Sequence, residues 1–242
     1  DLAYVSEKYK KENYGVSQEE LKQYFPVENV IKGLFKLVKS LYGIEVKIKK
    51  TKSVWHPDVR LYEIFDKNKN LRGKFYFDLY ARPNKRGGAW MDECIQRRLK
   101  SNGSVQAPVA FITCNSSPAT KASPAFFTHY DVETLFHEFG HGLQHMLTKV
   151  DYAGISGISG VEWDAVELPS QFMENWCWEK DVLDTFAFHF ETNQKLPNKL
   201  FKKLLATKNY NTGMTLLRQI EFSLFDFLLH MNEEKKKAKL TE

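Results

Sequence analysis

The spacing of apolar residues at the start of the chain is that of amphipathic helices. Over residues 1–14 and 26–43, apolar side chains recur every three or four positions, so that one face of each helix is apolar. Between these segments, Ser17 and Glu20 form a capping-box pattern that predicts a short helix. We therefore predict a helical region over residues 1–53.

The middle of the chain changes to the pattern of β-strands. Residues 59–65 and 74–80 are rich in β-branched and aromatic side chains, and the polar segment 66–70 between them predicts the turn of a hairpin. Residues 108–113 form a candidate third strand. Together these segments predict a small antiparallel β-sheet within residues 54–114.

A glycine pair follows the predicted hairpin. Gly87 and Gly88 lie in the loop 83–90 and allow positive φ angles or a close backbone approach. The sequence favours an ordinary connector here. The alternative is a loop that borders a cleft, where a peptide pairs with an exposed backbone edge. A helix is predicted after the loop, over residues 91–99.

Helical spacing returns in the last part of the chain, residues 131–242. Asp131 is the expected N-cap of one helix, and Trp163 begins another after a glycine-punctuated loop. Two further helices are predicted over residues 198–206 and 212–231, and we expect the leucines and aromatics of the last one in the core. The elements together predict a mainly α fold, a helix-rich α+β class.

Length and composition narrow the class of protein. With 242 residues, 43% of them hydrophobic, the chain can build a substantial core in one large domain or two small ones. The three cysteines (Cys94, Cys114 and Cys177) are odd in number and lack CxxC spacing, which argues against disulfides and a structural cysteine–zinc site. This cysteine usage suits a reducing compartment, and we expect a cytoplasmic protein. Because the chain does not begin with Met, we expect a piece of a longer protein.

The charge and hydropathy of the chain predict few macromolecular partners. The formal net charge is +5, but much of it comes from lysine runs such as 47–50 and 235–237. These runs lack the interleaved aromatic residues of a nucleic-acid surface, so we expect no nucleic-acid partner. No apolar run reaches the roughly 18 residues of a membrane span, so we expect no membrane partner either. The oligomeric state is not predicted.

The pattern His137-Glu138-Phe139-Gly140-His141 carries the candidate chemistry. On a helix, His137 and His141 lie on one face and can direct two imidazoles at one metal ion. Glu138 lies about 100° round the helix, beside the metal, where it can hold and deprotonate water. This is the HExxH arrangement of zinc peptidases. Gly140 and Gly142 each cost the helix about 1 kcal/mol relative to Ala, which predicts a close approach by another element.

A catalytic zinc needs a third protein ligand and one open position. A histidine six residues after His141 is excluded because position 147 is Leu. Glu162, Asp164 and Glu167 remain as candidates, and Glu167 is the best placed because it begins a long apolar helix face. His145 lies about 12 Å along the helix axis from His137, too far to bind the same ion.

Residues after Glu167 can support the ligands. Ser170 and Gln171 share its face one turn on, and Glu174 lies two turns on. From these positions their side chains can hydrogen-bond a metal ligand and fix its orientation.

Two long segments, FHEFGHGLQHML and GISGVEWDAVELPSQFMENWCWE, resemble the thimet oligopeptidase family of zinc metallopeptidases. The resemblance extends to YFPVENVIKGLFKLVKSLYGI, FYFDLYARPNKRGGAWMDEC and other segments, and covers nearly the whole chain. It implies that His137, His141 and Glu167 bind one Zn²⁺ per chain and that Glu138 is the catalytic base. It also implies Glu167 rather than Glu162 as third ligand, because the family's ligand is the Glu of the Glu-Leu-Pro-Ser-Gln segment.

The resemblance also implies the wider organisation of the protein. Residues 1–242 correspond to the central part of a channel-shaped, helical metallopeptidase catalytic domain, between an N-terminal helical portion and a Tyr- and Gly-rich segment. The implied function is a zinc metalloendopeptidase that hydrolyses short oligopeptides through a zinc-bound water, with Glu138 as general base. We expect the 242-residue chain alone to be weakly active or inactive. The alternative is a non-catalytic zinc-binding or peptide-binding fragment.

Overall fold

Helices at both ends of the chain flank a central sheet region in the computed structural model, which describes residues 2–231. The helices are α1 (Leu2–Tyr14), α2 (Gln18–Leu21), α3 (Val27–Tyr42), α4 (His129–Leu147), α5 (Leu168–Glu174), α6 (Lys180–Leu183), α7 (Asn198–Ala206) and α8 (Thr212–Met231). The strands are β1 (Glu45–Lys49), β2 (Arg60–Phe65), β3 (Leu71–Tyr80), β4 (Trp90–Ile95), β5 (Arg98–Leu99), β6 (Val105–Gln106) and β7 (Val109–Ser116). Short 3₁₀ turns lie at 22–24, 153–155 and 175–178. In the described part of the chain, no helix is both long enough and apolar enough to span a bilayer.

The first helices follow the predicted apolar pattern. Val30 and Leu34 on α3 are fully buried, and Gly43 ends this helix with a left-handed φ of 66° that glycine adopts without strain. Helix α1 is also as predicted. Ser17 precedes α2, but its side chain makes no capping hydrogen bond, so the predicted capping box is wrong. The region 1–53 is not wholly helical, because β1 lies within it.

The main sheet has five strands in the order β1-β2-β3-β7-β4. The predicted hairpin is confirmed as β2 and β3, which pair antiparallel with Tyr62 opposite Phe75. Strand β7, in contrast, runs parallel to β3, with Phe75 opposite Ala110. The prediction of an antiparallel sheet is therefore wrong, and the sheet is mixed. The connection between Tyr80 and Val109 is long enough for the crossover of a dozen or more residues that parallel pairing requires.

The predicted helix over 91–99 is also wrong. Strand β4 occupies the start of this segment and pairs antiparallel with β7, with Trp90 opposite Thr113. Strand β4 is an edge strand, since it has one neighbour in the sheet order. Helical propensity is a weak preference, and pairing with a formed strand overrides it here.

Helix α4 is held against the sheet by an aromatic core. Phe139 of α4 packs edge-on against Phe75, with ring centroids 5.3 Å apart, and lies 5.9 Å from Phe77. All three rings are buried. Phe35 of α3 stacks on Phe77 and also contacts Phe139, with ring centroids 6.2 Å apart in both pairs. This cluster fixes the position of the helix that carries the HExxH pattern, because a packed aromatic interior resists displacement.

Helix α8 does not form part of this core. Its bounds agree with the prediction, but the apolar residues expected in the core are 50–68% exposed: Leu216, Leu217, Ile220, Phe225 and Leu228. No residue of α8 is buried among the described residues. The expectation that this helix contributes to the core of the described chain is therefore wrong. Its apolar residues lie all round the helix, and such a sequence pattern is compatible with a buried helix as well as with an exposed one.

Candidate metal site

A capping box fixes the first turn of α4. The Thr128 hydroxyl accepts a hydrogen bond from the Asp131 backbone N–H at 3.1 Å, and the Asp131 carboxylate accepts one from the Thr128 N–H at 2.8 Å. Thr128, rather than the predicted Asp131, is therefore the N-cap. The two reciprocal bonds satisfy two backbone donors that a helix start leaves unpaired.

The two histidines of the HExxH pattern converge on one carboxylate. His137 and His141 lie one turn apart, with ring centroids separated by 5.0 Å. The Nε2 atoms of both rings lie 3.2 Å from Oε2 of Glu167. One ligand atom from each of the three residues lies within 4.8 Å of the others. The structure thus brings together the three residues that the sequence singled out as metal ligands.

The position of Glu167 depends on a glycine of α4. The helix predicted from Trp163 begins only at Leu168, so Glu167 lies at its N-cap. A Cβ at Gly140 would lie 2.5 Å from the carbonyl oxygen of Pro169. Only a residue without a side chain allows the start of α5 to approach α4 this closely. A Cβ at the second glycine, Gly142, would similarly lie 2.9 Å from the side chain of Ile112 on β7.

Hydrogen bonds orient each of the three candidate ligands. His137 Nδ1 lies 2.6 Å from a Glu174 oxygen; since a carboxylate accepts, Nδ1–H donates and Nε2 keeps its lone pair. Ser170 Oγ–H donates to Glu167 Oε2 at 2.8 Å. His141 hydrogen-bonds to the backbone of Val166. The predicted supporting roles of Ser170 and Glu174 match this geometry, whereas no side-chain bond from Gln171 to a candidate ligand occurs among the described residues.

The donor set fits a zinc ion. Two imidazole nitrogens and a carboxylate oxygen are ligands that zinc accepts, and three protein ligands leave the fourth position that a catalytic site requires. Ligand atoms at about 2.0–2.1 Å in tetrahedral geometry lie about 3.3 Å apart. The two 3.2 Å separations from Glu167 Oε2 agree with that spacing. Burial lowers the pKa of His141 against the raising effect of Glu167, which favours the neutral ring that a metal ligand needs.

Glu138 lies beside the ligand cluster and not in it. Its side chain is 7% exposed, and it accepts a hydrogen bond from the backbone of Met91 on β4. Burial raises the pKa of Glu138 to about 7; Glu167 also raises it, while His137 and the Met91 hydrogen bond lower it. The carboxylate faces a cavity of about 430 Å³. It therefore has access to a small molecule held near the candidate ligands.

The other acidic and histidine candidates lie outside the cluster. Glu162 and Asp164 are not among its three ligand groups. His145 is fully buried, and its Nε2 lies 3.0 Å from the carbonyl oxygen of Ile95. That hydrogen bond connects α4 to the end of β4 and agrees with the predicted non-ligand role.

The sequence profile of Peptidase family M3 matches residues 1–242. The chain belongs to peptidase family M3. The resemblance to the thimet oligopeptidase family is thereby confirmed. Membership in peptidase family M3 supports peptide hydrolysis as the reaction class.

Several curated relatives of this M3 chain align along most of its length. Oligopeptidase A of Escherichia coli (strain K12) is 58% identical over 230 residues, 95% of this chain and 34% of that protein. Probable cytosolic oligopeptidase A of Arabidopsis thaliana is 46% identical over 235 residues, 95% of this chain and 34% of that protein. Saccharolysin of Saccharomyces cerevisiae (strain ATCC 204508 / S288c) is 35% identical over 237 residues, which are 95% of this chain and 33% of that protein. The M3 chain spans about one third of the length of these relatives.

Sequence reasoning missed several residues that line the site of this M3 chain. Ala89 and Tyr130 line the cavity at Glu138, and Met91 borders a second cavity of about 270 Å³ at His141. Met91 was missed because residues 91–99 were predicted as a helix, and Ala89 was missed because the loop 83–90 was predicted to be an ordinary connector. No sequence signal distinguished Tyr130. The loop 83–90 thus reaches the cavity at Ala89, which agrees with the cleft-bordering part of its less favoured interpretation; the pairing of a peptide with its backbone stays a prediction.

Proposed function

We propose that this chain is the central part of a zinc metalloendopeptidase that hydrolyses short oligopeptides. His137, His141 and Glu167 would hold one Zn²⁺, and Glu138 would act as the general base. The observation that carries the proposal is the convergence of two imidazole nitrogens on one oxygen of Glu167 at 3.2 Å, with a second carboxylate, the buried Glu138, beside them. The M3 membership of the chain supports the reaction class.

The chemistry that zinc supplies at such a site is Lewis-acid activation of water and polarisation of a carbonyl oxygen. Glu138 accepts the proton of the attacking water and returns it to the leaving amine. Glu174 holds the His137 ring through Nδ1, and Ser170 holds the Glu167 carboxylate, so that the donor atoms keep their directions during the reaction. The buried backbone contact from Met91 positions the base relative to the edge strand.

The substrate and location are proposed from the relatives. Several are named oligopeptidases, which supports short peptides as substrates. One relative is named as probably cytosolic, in agreement with the expected cytoplasmic location, whereas another is named as chloroplastic/mitochondrial. Since the chain spans about one third of these relatives, substrate binding by the whole protein involves more than the residues described here.

A second candidate function is a non-catalytic zinc-binding or peptide-binding fragment. The observation that favours it is the exposed apolar surface of α8, which leaves part of the described chain without a packed environment. Cleavage that depends on Glu138 separates the two functions, because a binding module has no use for a base.

The first test is the metal content of the purified chain by elemental analysis. We expect about one zinc per chain in the unaltered protein, much less in Glu167→Ala, and no change in the control Glu162→Ala, because Glu162 lies outside the cluster. Zinc retained in Glu167→Ala would contradict the ligand assignment. An unaltered chain without zinc would show that the described residues do not assemble the site.

A further inference from the structure

A further cavity, of about 330 Å³, lies on the face of the sheet away from α4. Side chains alternate along a strand, so Tyr76 and Asp78 of β3 face opposite to Phe75 and Phe77, which contact α4. The cavity is lined by three aromatic and three cationic side chains, two carboxylates and one threonine: Trp55, Trp90, Phe111, Arg82, Lys85, Arg86, Asp78, Asp92 and Thr113. None of these residues belongs to the candidate metal site.

Two of the cationic side chains, those of Arg82 and Lys85, are held by hydrogen bonds within the protein. Arg82 donates two hydrogen bonds to the Asp78 carboxylate, at 2.6 and 2.8 Å, and Lys85 donates to it at 2.9 Å. Lys85 also donates to the carbonyl oxygens of Tyr80 and Cys114. Its side chain is only 5% exposed. These bonds fix one side of the loop that forms the cavity wall.

The other side of the loop is fixed through its backbone. The side-chain amide of Asn115 donates to the carbonyl oxygens of Arg86 and Gly88, at 2.8 and 2.6 Å. Gly88 has a φ of 91°, and Asn84 has a φ of 64°. A non-glycine residue in this region is uncommon and persists where its surroundings hold it. The loop therefore presents its side chains in a defined position.

Arg86 is the cation that these contacts leave available. It is exposed, and within residues 2–231 it has no carboxylate within ion-pair distance. Its guanidinium lies 5.6 Å from the centre of the Trp90 ring. A guanidinium with free donors is suited to a carboxylate, which it binds through parallel hydrogen bonds.

The aromatic wall of the cavity, formed by Trp55 and Phe111, is preorganised. Trp55 is 50% exposed, yet its indole N–H donates to Asp78 at 2.8 Å, which holds the ring in place. Phe111 lies against Trp55 with ring centroids 5.5 Å apart. A large exposed aromatic ring held by an internal hydrogen bond offers contact area at little entropic cost.

We infer that this cavity binds a carboxylate that carries an apolar or aromatic group, with Arg86 at the carboxylate and Trp55 and Phe111 at the apolar group. Two sources share this chemistry: a small free carboxylic acid and the C-terminal end of a peptide. The inference goes beyond the proposed function and does not depend on the metal site.

The test is isothermal titration of the purified chain, without added metal, at low salt with N-acetyl-phenylalanine. We expect saturable binding, and roughly tenfold weaker binding of N-acetyl-phenylalaninamide, which lacks the charge. Arg86→Gln should weaken the acid by a similar factor, while Arg98→Gln, at an exposed arginine outside the cavity, should leave it unchanged. N-acetyl-Ala-Ala-Phe distinguishes the sources: tighter binding than N-acetyl-phenylalanine indicates a peptide end, and equal binding indicates a small acid.

Three results would overturn the inference. Equal affinity for the acid and the amide would show that the charge of the ligand does not contribute to binding. Unchanged affinity of Arg86→Gln for the acid would show that Arg86 does not contribute. If inorganic phosphate binds as tightly as N-acetyl-phenylalanine, the aromatic wall does not contribute to binding. Because Arg86 is exposed, its substitution leaves the fold intact, which thermal melting of the variant checks.

Discussion

Asp78 and Glu138 are almost equally buried, with 5% and 7% of their surfaces exposed, but their pKa values move in opposite directions. Burial alone would raise the pKa of Asp78, yet the hydrogen bonds from Arg82, Lys85 and Trp55 outweigh it and lower the pKa to about 2. Burial raises the pKa of Glu138 to about 7.

The difference between the two carboxylates is the number of donors that each receives. The Asp78 oxygens accept bonds from three side chains, so the charged form is stable within the protein. Glu138 has one backbone bond, from Met91, and faces a cavity. A carboxylate whose hydrogen bonds are satisfied by the protein stabilises the fold, whereas one that is left partly unsatisfied beside a cavity is available for chemistry.

The largest expected effect tests Glu138, the carboxylate that the comparison makes available for chemistry. In the longer protein of which this chain is proposed to be the central part, Glu138→Gln should lower the rate of peptide cleavage by about 10²–10⁴-fold, because it removes the proposed base but not a candidate ligand. Cleavage of a short fluorogenic peptide measures the rate, and elemental analysis should show unchanged zinc. A variant that cleaves at the original rate would remove Glu138 from the mechanism.

The next largest effect tests Asp78, the carboxylate that stabilises the fold. Asp78→Asn should lower the free energy of unfolding by about 3 kcal/mol, because it leaves the buried Lys85 ammonium without its carboxylate. Urea denaturation measures this, with Asp92→Asn, an exposed carboxylate, as the matched control that should change stability by less than about 0.5 kcal/mol. Equal stability of the two variants would show that the Asp78 contacts contribute nothing.

The same pair of variants gives a pH test. The ordinary pKa of Asp78 is 3.8 and its folded value is about 2, so its stabilising contribution is present above pH 3.8 and is lost as the pH falls through about 2. The stability gap between the unaltered chain and Asp78→Asn should therefore narrow by about 2 kcal/mol over this range. A gap that stays constant with pH would contradict the lowered pKa.

The smallest effect concerns the orientation of a candidate ligand. Glu174→Gln should weaken zinc binding by about 10–100-fold, because a neutral amide holds His137 less firmly than a carboxylate does. Competition with a chromogenic chelator measures the affinity, and Glu162→Gln serves as control. If both variants bind zinc equally well, the Glu174 contact is incidental to the site.

The sequence alone determined the features that depend on short-range spacing. His137 and His141 share a helix face because residues four apart always do, and the bounds of α3, α7 and α8 follow from apolar periodicity and end signals. The contacts of Ser170 and Glu174 with candidate ligands agree with the spacing of these residues after Glu167, whereas the same spacing did not give a contact for Gln171. The choice of Glu167 over Glu162 rested on family resemblance, because spacing left both open.

Only the tertiary structure decided how distant segments meet. The parallel pairing of β7 with β3 and the edge position of β4 depend on contacts between residues far apart in the chain, and local propensity does not report these. The position of Glu138 beside Met91 follows from that pairing. The exposure of α8 was missed for the same physical reason, since an apolar helix has one sequence pattern whether or not a neighbour covers it.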